Sequence, residues 1–259
     1  MQQLTNENRA YWLNRAKGYS EVNKEELSGI QRGTWSKLLI EEISGRFPGR
    51  DRASIKVLDV GAGPGFISII LAEAGYQVTA FDFAETMLAE AQANAGQIAD
   101  SIQFIQGDAQ ALPFEKDSFD VVFSRNLTWN LPNPEIAYEQ WLSVLKPEGL
   151  MLVFDANWYA YLVDDDKRQA YEIDRQNVKD SSLEDYNIGD DFDQMEKIAY
   201  NMPLTDKIRP QWDAKFLESI KAGQVSTVQD IGSRLYSEKE IINYRSTPLF
   251  MVRVVKGLH

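Results

Sequence analysis

Short apolar runs alternate with helical segments between residues 55 and 155, and this alternation constrains the fold more than any other feature. The runs are IKVLDV, QVTAF, IQFIQG, DVVFS and LMLVFD, and they are rich in β-branched and aromatic residues. Strands that alternate with helices across short loops are typical of a parallel sheet with helices on both faces. The sequence therefore predicts a doubly wound α/β fold, and 259 residues suffice to bury its core.

The segments on either side of this core have a different character. Residues 4–47 are predicted to be helical, with breaks near Gly18 and Gly29, and the acidic and aromatic stretches after Asp155 also have helical patterns. The runs VSTVQDIG and LFMVRVV predict two more strands that close the sheet. We expect a single domain with four parts: a helical lead (1–50), a core (51–155), a lid insertion over the strand ends (156–224) and closing strands (225–259).

The turn after the first strand, VLDVGAGPG, is the strongest local motif. Its glycines allow positive φ and a close approach of a ligand to the backbone. A dinucleotide-binding loop has the pattern G-x-G-x-x-G, but the sixth position counted from Gly61 is Phe66, and Gly65 makes the pattern G-x-G-x-G. The turn therefore disfavours a nicotinamide dinucleotide. A tight strand-to-helix connection without any ligand is the alternative.

A carboxylate stands two residues before this turn. Asp59 repels a pyrophosphate and attracts an ammonium group, because opposite charges attract at short range. We therefore expect the ligand that docks on this turn, which includes Gly61, Ala62 and Gly63, to carry an ammonium group rather than a pyrophosphate.

Asp82 closes the second strand, QVTAFD, and lies 21 residues after Gly61. A carboxylate at this place accepts ribose hydroxyls in nucleotide-binding folds. Phe83 and Met87 follow where they can sandwich an adenine ring. These residues predict an adenosine-containing cofactor. As alternatives, Asp82 caps the next helix and Met87 packs in the helix core.

A third motif, GDAQALPF, follows the third strand. Asp108 is placed to accept a hydrogen bond from the exocyclic amine of adenine, and the Ala109 backbone N–H is placed to donate to a ring nitrogen. A simple turn aspartate is the alternative for Asp108. The two preceding motifs favour the cofactor role.

The ordered set VLDVGAGPG, FD, GDAQALPF and FDVVFSRNLTWNLPNPEIAYEQWLSVLKPEGLMLVFD resembles the class I S-adenosylmethionine-dependent methyltransferases, especially the group that includes ubiquinone and menaquinone biosynthesis methyltransferases. The resemblance covers residues 55–155. It implies a Rossmann-like, seven-stranded sheet, mostly parallel with an antiparallel last strand. It also implies S-adenosylmethionine as cofactor, S-adenosylhomocysteine as product and a small molecule as acceptor.

The resemblance also assigns residues to the parts of the cofactor. The implied set is Asp59, Gly61 and Gly63 around the methionine part, Asp82 at the ribose, Asp108 and Ala109 at the adenine, and Ser124 and Arg125 lining the methionine end.

Aromatic residues outside the core are expected near the reacting sulfonium, where cation–π attraction contributes roughly 0.5–2 kcal/mol. We expect Tyr19 of the lead beside the cofactor, and Trp129, Asn157 and Trp158 in the acceptor pocket. Ordinary packing of the lid against the core is the alternative for most of the aromatic residues.

Methyl transfer requires no catalytic residue, because the leaving group is already activated and positioning alone lowers the barrier. Members of the family often have a histidine after the fourth strand, whereas this chain has RNLTWNLPNP there and its one histidine is His259. If the acceptor must lose a proton, Asp155, Tyr159 and the lid carboxylates are alternative bases. No catalytic residue is assigned from the sequence.

Charge and composition exclude several other classes. A formal net charge of −12 disfavours nucleic acid as a substrate, since its binding depends on clustered Lys and Arg. The absence of cysteine excludes disulfides and zinc-thiolate sites. No apolar run has the length of a signal peptide core or a membrane span, which predicts a cytoplasmic protein. The acidic run Asp164–Asp166 is expected to begin a solvated helix rather than to bind a metal.

Three functions follow from these residues. The favoured one is an S-adenosylmethionine-dependent methyltransferase for a small molecule. The alternatives are a nicotinamide-dependent oxidoreductase, disfavoured by Phe66, and a non-catalytic protein that binds S-adenosylmethionine or a partner.

Overall fold

The computed structural model describes residues 2–187 and 192–258, with side chains from Thr5 onwards, so His259 and residues 188–191 of the insertion lie outside the described part. The strands are β1 (Lys56–Val60), β2 (Gln77–Asp82), β3 (Ile102–Gln106), β4 (Phe119–Arg125), β5 (Leu145–Asp155), β6 (Gly223–Val228) and β7 (Phe250–Lys256). The helices are α1 (Gln2–Ser28), α2 (Ile30–Arg46), α3 (Phe66–Glu73), α4 (Glu85–Ala95), α5 (Pro134–Val144), α6 (Asp165–Asp180), α7 (Phe192–Tyr200), α8 (Gln211–Ser219), α9 (Gly232–Leu235) and α10 (Glu238–Asn243). Short 3₁₀ helices lie at Arg52–Ser54, Gly96–Ser101, Thr128–Asn130 and Ala160–Leu162.

The described strands form one seven-stranded sheet with the order β3-β2-β1-β4-β5-β7-β6. Strands β1 to β5 pair in parallel, and β7 runs antiparallel to its neighbours β5 and β6. The predicted doubly wound, Rossmann-like sheet with an antiparallel last strand is therefore confirmed. The chain order reverses between β1 and β4, and in such folds the carboxyl ends of the strands around this switch point form the binding crevice.

Two apolar layers cover the faces of the sheet. Alternate residues of β5 separate into these layers: Leu150 and Leu152 join Trp35 of α2, whereas Met151 joins Trp141 of α5. Strands buried on both faces need apolar side chains at nearly every position. This burial explains why the central runs of the sequence are apolar without interruption.

The helical lead consists of two helices. α1 continues through Gly18, so the predicted break there is wrong, whereas α1 and α2 separate at Gly29, as predicted. A glycine inside a helix costs about 1 kcal/mol relative to alanine. Contacts of α1 with α2, α3 and α4 offset this cost.

The segment between β5 and β6 contains α6, α7 and α8. Asp164 caps α6, because its side chain accepts from the Lys167 backbone N–H at 3.0 Å, so the acidic run begins a helix. α8 lies in one of the apolar layers of the sheet, where Leu217 is fully buried, and β6 begins at Gly223. The expected boundary at residue 224 is therefore too late. None of the described helices combines the length and apolar character of a membrane span.

A buried ion network joins the end of β5 to the segment before α8. Arg209 lies between Asp155 and Asp213, and neither carboxylate reaches solvent. The guanidinium donates to Asp155 at 3.0 Å and to the two oxygens of Asp213 at 2.8 and 2.9 Å. Tyr138 Oη of α5 also donates to Asp213, at 2.6 Å. One cation thus compensates two buried anions and fastens the chain before α8 to the sheet.

We expect Arg209→Met to lower the free energy of unfolding by about 3–5 kcal/mol, because it leaves two buried carboxylates without their cation. Urea unfolding at neutral pH measures this change. Arg234→Met is the matched control, since Arg234 and Glu41 form a half-exposed pair at 3.4 Å whose loss costs about 1 kcal/mol or less. Equal effects of the two variants would contradict a stabilising role for the network.

Candidate functional site

A cavity of about 360 Å³ opens at the carboxyl ends of the central strands. Five of the predicted cofactor residues line this cavity, at the ends of β1 and β2 and in the loop after β3. They are Gly61, Asp82, Phe83, Asp108 and Ala109. The sequence analysis missed the rest of the lining. These residues come from α1, β2, the end of β3 and the loop after it, and the loop after β4: Thr5, Asn8, Arg9, Phe81, Gln106, Gly107, Gln110, Leu127, Asn130, Leu131 and Pro132.

The glycine turn is bound to the end of β2 through its backbone. The N–H groups of Gly61 and Ala62 donate to the Phe81 carbonyl at 2.8 and 3.1 Å, and the Gly63 N–H donates to Asp82 Oδ2 at 2.9 Å. Gly61 and Gly63 have φ of +72° and +52°, which side chains disfavour. A Cβ on Gly61 would also lie 2.7 Å from a methyl of Leu127. The turn therefore requires glycine at both positions.

Asp82 is buried and still lines the cavity. Its Oδ2 accepts from Gly63 and its Oδ1 accepts from the Ala84 N–H at 2.9 Å, so the carboxylate also orders the start of α4. Burial raises the pKa of Asp82 to about 6, although the backbone N–H donors act in the opposite direction. Its place fits the predicted ribose contact.

Asp59 lies behind the turn rather than in the cavity wall. Its Oδ2 accepts from Ser68 Oγ of α3 at 2.6 Å, and the side chain is almost fully buried. Burial, together with the nearby Asp82 carboxylate, raises the pKa of Asp59 to about 7, although the hydrogen bond from Ser68 acts in the opposite direction. The contact of Asp59 with a ligand ammonium group stays a prediction.

The loop after β3 presents polar groups to the other end of the cavity. Asp108 Oδ1 accepts from the backbone and side-chain N–H groups of Gln110 at 2.8 and 3.1 Å, which leaves Oδ2 without a hydrogen bond among the described contacts. The Ala109 carbonyl accepts from Trp141 Nε1 at 2.9 Å, which fixes this loop on α5. Asp108 and Ala109 thus stand where an adenine contact is predicted.

Met87 packs against Ala16 of α1 and is not among the cavity residues. The structure therefore places it in the helix core, which is the alternative that the sequence left open. Phe83 does line the cavity, with the Arg9 guanidinium 6.0 Å from its ring centre.

The side chains of the last two residues of β4 are held by contacts with other residues of the protein. Ser124 Oγ donates to the Val60 carbonyl at 3.0 Å and joins β4 to β1. Arg125 pairs with Glu26 of α1 and lies over the rings of Trp35 and Phe66 at 4.7 and 5.2 Å. Neither residue lines the cavity, so their predicted contact with the methionine end stays a prediction.

Tyr19 covers the glycine turn from the lead. A Cβ built on Gly63 would lie 3.6 Å from Tyr19 Cε1, and the ring meets Trp12 edge to face at 5.8 Å. Burial raises the pKa of the Tyr19 hydroxyl above its usual value, so it stays protonated at neutral pH. Its ring is therefore placed beside the turn, and its predicted contact with the cofactor stays a prediction.

Trp129 and Trp158 belong to an aromatic cluster next to the cavity. The cluster joins the lead, the loops after β4 and β5, and α7, and comprises Tyr11, Trp12, Trp129, Trp158, Tyr159, Leu162, Met195, Ile198, Ala199 and Met202. Trp129 Nε1 donates to the Asn126 carbonyl at 3.0 Å, and Trp158 Nε1 donates to Asp155 Oδ1 at 3.1 Å. Asn157 instead donates to the Arg209 carbonyl at 3.1 Å. The structure brings the two tryptophans together, whereas Asn157 fastens the chain before α8.

Neither individually named base candidate has the environment of a base. Asp155 accepts five hydrogen bonds, from Thr128 Oγ1 at 2.5 Å, the backbone N–H groups of Trp129 and Ala156 at 2.9 Å, Arg209 at 3.0 Å and Trp158 at 3.1 Å. These donors occupy its lone pairs. Burial raises the pKa of Tyr159 far above its usual value, so its hydroxyl stays protonated.

Several buried polar atoms around the site have no hydrogen-bond partner in the described part of the chain. They are Asn8 Oδ1, Trp12 Nε1, Arg125 Nε, Asn126 Oδ1 and Asn130 Oδ1. Most buried polar groups in proteins are paired, so these atoms are exceptions. The cavity wall itself offers the buried carboxylate of Asp82 and the Asp108 carboxylate, and the hydroxyl and amine donors of S-adenosylmethionine fit these acceptors.

The parallel switch-point sheet, the G-x-G-x-G turn and the acidic residues at or just after the ends of β2 and β3 are the features that resemble class I methyltransferases. A family model described as "Methyltransferase domain" matches residues 58–153. That segment of the chain therefore matches a methyltransferase domain, which confirms the resemblance stated from the sequence.

Two relatives extend the similarity beyond this segment. The ubiquinone/menaquinone biosynthesis C-methyltransferase of Roseobacter denitrificans is 32% identical over 167 residues, which cover 63% of each protein. The demethylmenaquinone methyltransferase of Renibacterium salmoninarum is 37% identical over 133 residues, or 51% of this chain and 52% of the relative. The chain thus matches between about half and two thirds of these relatives' lengths.

Solved structures show the same fold over almost the whole chain. A methyltransferase structure from Methanococcus maripaludis covers 95% of this chain and 94% of its own, with a TM-score of 0.62 and 18% identity. The plantazolicin methyltransferase BpumL was solved with a substrate analogue and S-adenosylhomocysteine. The match covers 99% of this chain and 98% of BpumL, with a TM-score of 0.61 and 14% sequence identity. Because both sequence identities are below 20%, these two matches show a shared fold and nothing about activity.

We expect S-adenosylhomocysteine to bind more tightly as the pH rises from about 5 to about 7. The free protein holds a proton on Asp82 below about pH 6, and only the ionised carboxylate accepts both ribose hydroxyls. Binding below this pKa must release the proton, so the Kd should fall by up to about tenfold per pH unit and level off above about pH 7. Calorimetry across this range measures the change.

Asp82→Asn is the control, because it removes this titration while keeping the size of the side chain. The Kd of this variant should vary less with pH than that of the wild type. Any pH dependence that remains in the variant is then due to Asp59, which titrates in the same range. A pH dependence identical in the two proteins would show that Asp82 does not contact the ligand.

Proposed function

We propose that this protein is an S-adenosylmethionine-dependent methyltransferase that transfers a methyl group to a small molecule. The observation that carries the proposal is the cavity at the switch point, where the glycine turn, Asp82 and Asp108 line one space. The match of residues 58–153 to a methyltransferase domain supports the same activity.

The cofactor's ribose is assigned to Asp82, and its adenine to Phe83, Asp108 and the Ala109 N–H. Its methionine part is assigned to the turn from Gly61 to Gly63. When bound, S-adenosylmethionine supplies a methyl group on a positively charged sulfur. The protein's residues hold the acceptor in line with that methyl group and exclude water, which is enough to lower the barrier substantially.

The aromatic cluster supports a flat, largely apolar acceptor. Trp129 and Tyr159 lie 4.9 Å apart, and Trp158 packs against Tyr244 at 5.2 Å, so rings from separate segments already form one surface. The names of the two relatives, both methyltransferases of quinone biosynthesis, support an acceptor of the same general kind. With Asp155 saturated, the acceptor atom must be nucleophilic without that base. A small molecule in place of nucleic acid, and a cytoplasmic location, stay predictions.

Binding calorimetry tests the proposal directly. S-adenosylmethionine and S-adenosylhomocysteine should bind, whereas NAD should not. Gly63→Val should abolish binding, because valine at a φ of +52° is strained and its methyl groups extend towards Tyr19. Gly45→Ala in α2 is the control, since a Cβ there meets nothing within 4 Å.

Turnover is measured separately, as formation of S-adenosylhomocysteine from S-adenosylmethionine and a mixture of quinols and phenols. Binding without turnover on any acceptor would favour the non-catalytic alternative. Preferential binding of NAD would overturn the assignment of the turn.

We further propose that the lead and the insertion move together as a lid. α1 contacts α7, and Tyr11 and Trp12 of α1 share the aromatic cluster with Met195 and Ile198 of α7. This lid comprises α1, α6 and α7 and excludes α8, which packs on the sheet. Segments at the carboxyl ends of parallel strands are where such folds place binding sites and closing elements.

Hydrogen exchange should therefore slow in α1 and α7 when S-adenosylhomocysteine is added, while exchange in β4 and β5 stays unchanged. The reason is that closure over the cofactor restricts local opening of the helices that cover it. If α1 and α7 are already as protected as β4 in the free protein and do not respond to the ligand, these helices form a rigid subdomain.

A further inference from the structure

Only one end of the glycine turn is open to the cavity. Gly61 lines the cavity, whereas Gly63 is buried and is not among the described residues that line it. A Cβ built on Gly61 would lie 2.7 Å from a methyl of Leu127, and one built on Gly63 would lie 3.6 Å from Tyr19 Cε1. Side chains of the loop after β4 and of α1 therefore lie against the two glycines. In this conformation a ligand cannot reach Gly63 unless Tyr19 moves.

A buried ion pair holds this part of α1 in place. Glu26, further along α1, accepts from Nη1 of Arg125 at 3.4 Å and also from Nη2. Only 7% of the Glu26 side chain and 14% of the Arg125 side chain are exposed. The charges of both residues act on the Tyr19 hydroxyl, so the ring lies beside the pair. The pair thus fastens the helix that carries Tyr19 to the end of β4.

The junction between α1 and α2 can act as a hinge. α1 ends at Ser28, and Gly29 precedes α2 in an extended conformation, with φ of −91° and ψ of −173°. A groove of about 570 Å³ lies against Leu27, Ser28 and Gly29, so the junction is not closely packed on that side. A residue between two helices can absorb a change in the angle between them. α1 can therefore move while α2 stays on the sheet, where Trp35 is fully buried.

Movement of α1 has a charge requirement. When Glu26 leaves, Arg125 becomes a buried cation without its anion, which is strongly unfavourable. The rings of Trp35 and Phe66, at 4.7 and 5.2 Å from the guanidinium, carry no compensating charge. A ligand with a carboxylate supplies that charge. The methionine part of S-adenosylmethionine carries a carboxylate, whereas its nucleoside part does not.

We propose that Tyr19 and Glu26 form a gate over the methionine end of the cofactor site. In the closed state Glu26 pairs with Arg125, Tyr19 covers Gly63, and the cavity admits the nucleoside part. The ligand carboxylate then replaces Glu26 on Arg125, and α1 moves at Gly29 and closes again over the cofactor. This inference rests on the proposed function and on the predicted place of Arg125 at the methionine end.

Stopped-flow measurement of tryptophan fluorescence tests the gate, because Trp12 packs on Tyr19. The observed rate of S-adenosylhomocysteine binding to the wild type should level off with ligand concentration, at the rate of opening. The rate for methylthioadenosine, which lacks the amino-acid part, should rise linearly instead.

Glu26→Gln should raise the plateau for S-adenosylhomocysteine by about tenfold and lower its Kd by about the same factor, because the closed state loses its ion pair. Methylthioadenosine binding should be unchanged. A purely structural role of Glu26 predicts the opposite result, which is weaker binding of S-adenosylhomocysteine.

Tyr19→Ala is a second variant, which keeps the ion pair and uncovers Gly63. It should also raise the plateau, and it decides the question if Glu26→Gln does not fold. Glu21→Gln is the matched control on the same helix, since Glu21 forms an exposed pair with Lys24 at 2.9 Å. Its binding rates should equal those of the wild type.

Other results overturn the inference. The gate is wrong if neither variant changes the plateau, if both ligands change by the same factor, or if the wild-type rate for S-adenosylhomocysteine rises linearly. If the wild type binds neither ligand, the proposed function itself fails. A wild type that binds both ligands without a plateau keeps the proposed function and loses only the gate.

Discussion

The contact between the glycine turn and the end of β2 determines the geometry of the whole site. Gly61, Ala62 and Gly63 all donate their N–H groups to the last residues of β2, so the turn cannot move without β2. This contact needs positive φ at both glycines, which the absence of a side chain permits. The cavity, the position of Asp82 and the place of Tyr19 above Gly63 all depend on it.

Three carboxylates end or nearly end the central strands, and their surroundings give them different properties. Asp155 accepts five hydrogen bonds and faces Arg209, so it acts as a fixed structural anion. Asp59 is buried behind the turn with Ser68 as its donor. Of the three, only Asp82 is both buried and in contact with the cavity, where we propose that the ribose hydroxyls donate to it. The three residues look alike in the sequence, and the packing around each one distinguishes them.

The sequence predicts the sheet and the strand-end motifs because both depend on local pattern. Apolar runs mark buried strands, and the residues after them must lie at the carboxyl edge, so Gly61, Asp82 and Asp108 could be placed together. Long-range packing could not be predicted in this way. Nothing in the local sequence indicates that Asn8 meets Asn130, or that Arg209 compensates Asp155, because these contacts join segments far apart in the chain.

One face of α1 connects the parts of the site. Asn8, Trp12, Tyr19 and Glu26 follow one another at intervals of four and seven residues, which places them on one side of a helix. In this order they contact the cavity wall, the aromatic cluster, the glycine turn and Arg125 at the end of β4. Because a helix transmits displacement along its length, any shift that separates Asn8 from the cofactor cavity also disturbs the aromatic surface beside it. The cavity and the aromatic cluster are therefore joined through a single element, and the break expected at Gly18 would have separated both from Tyr19 at the glycine turn and from Glu26 at Arg125.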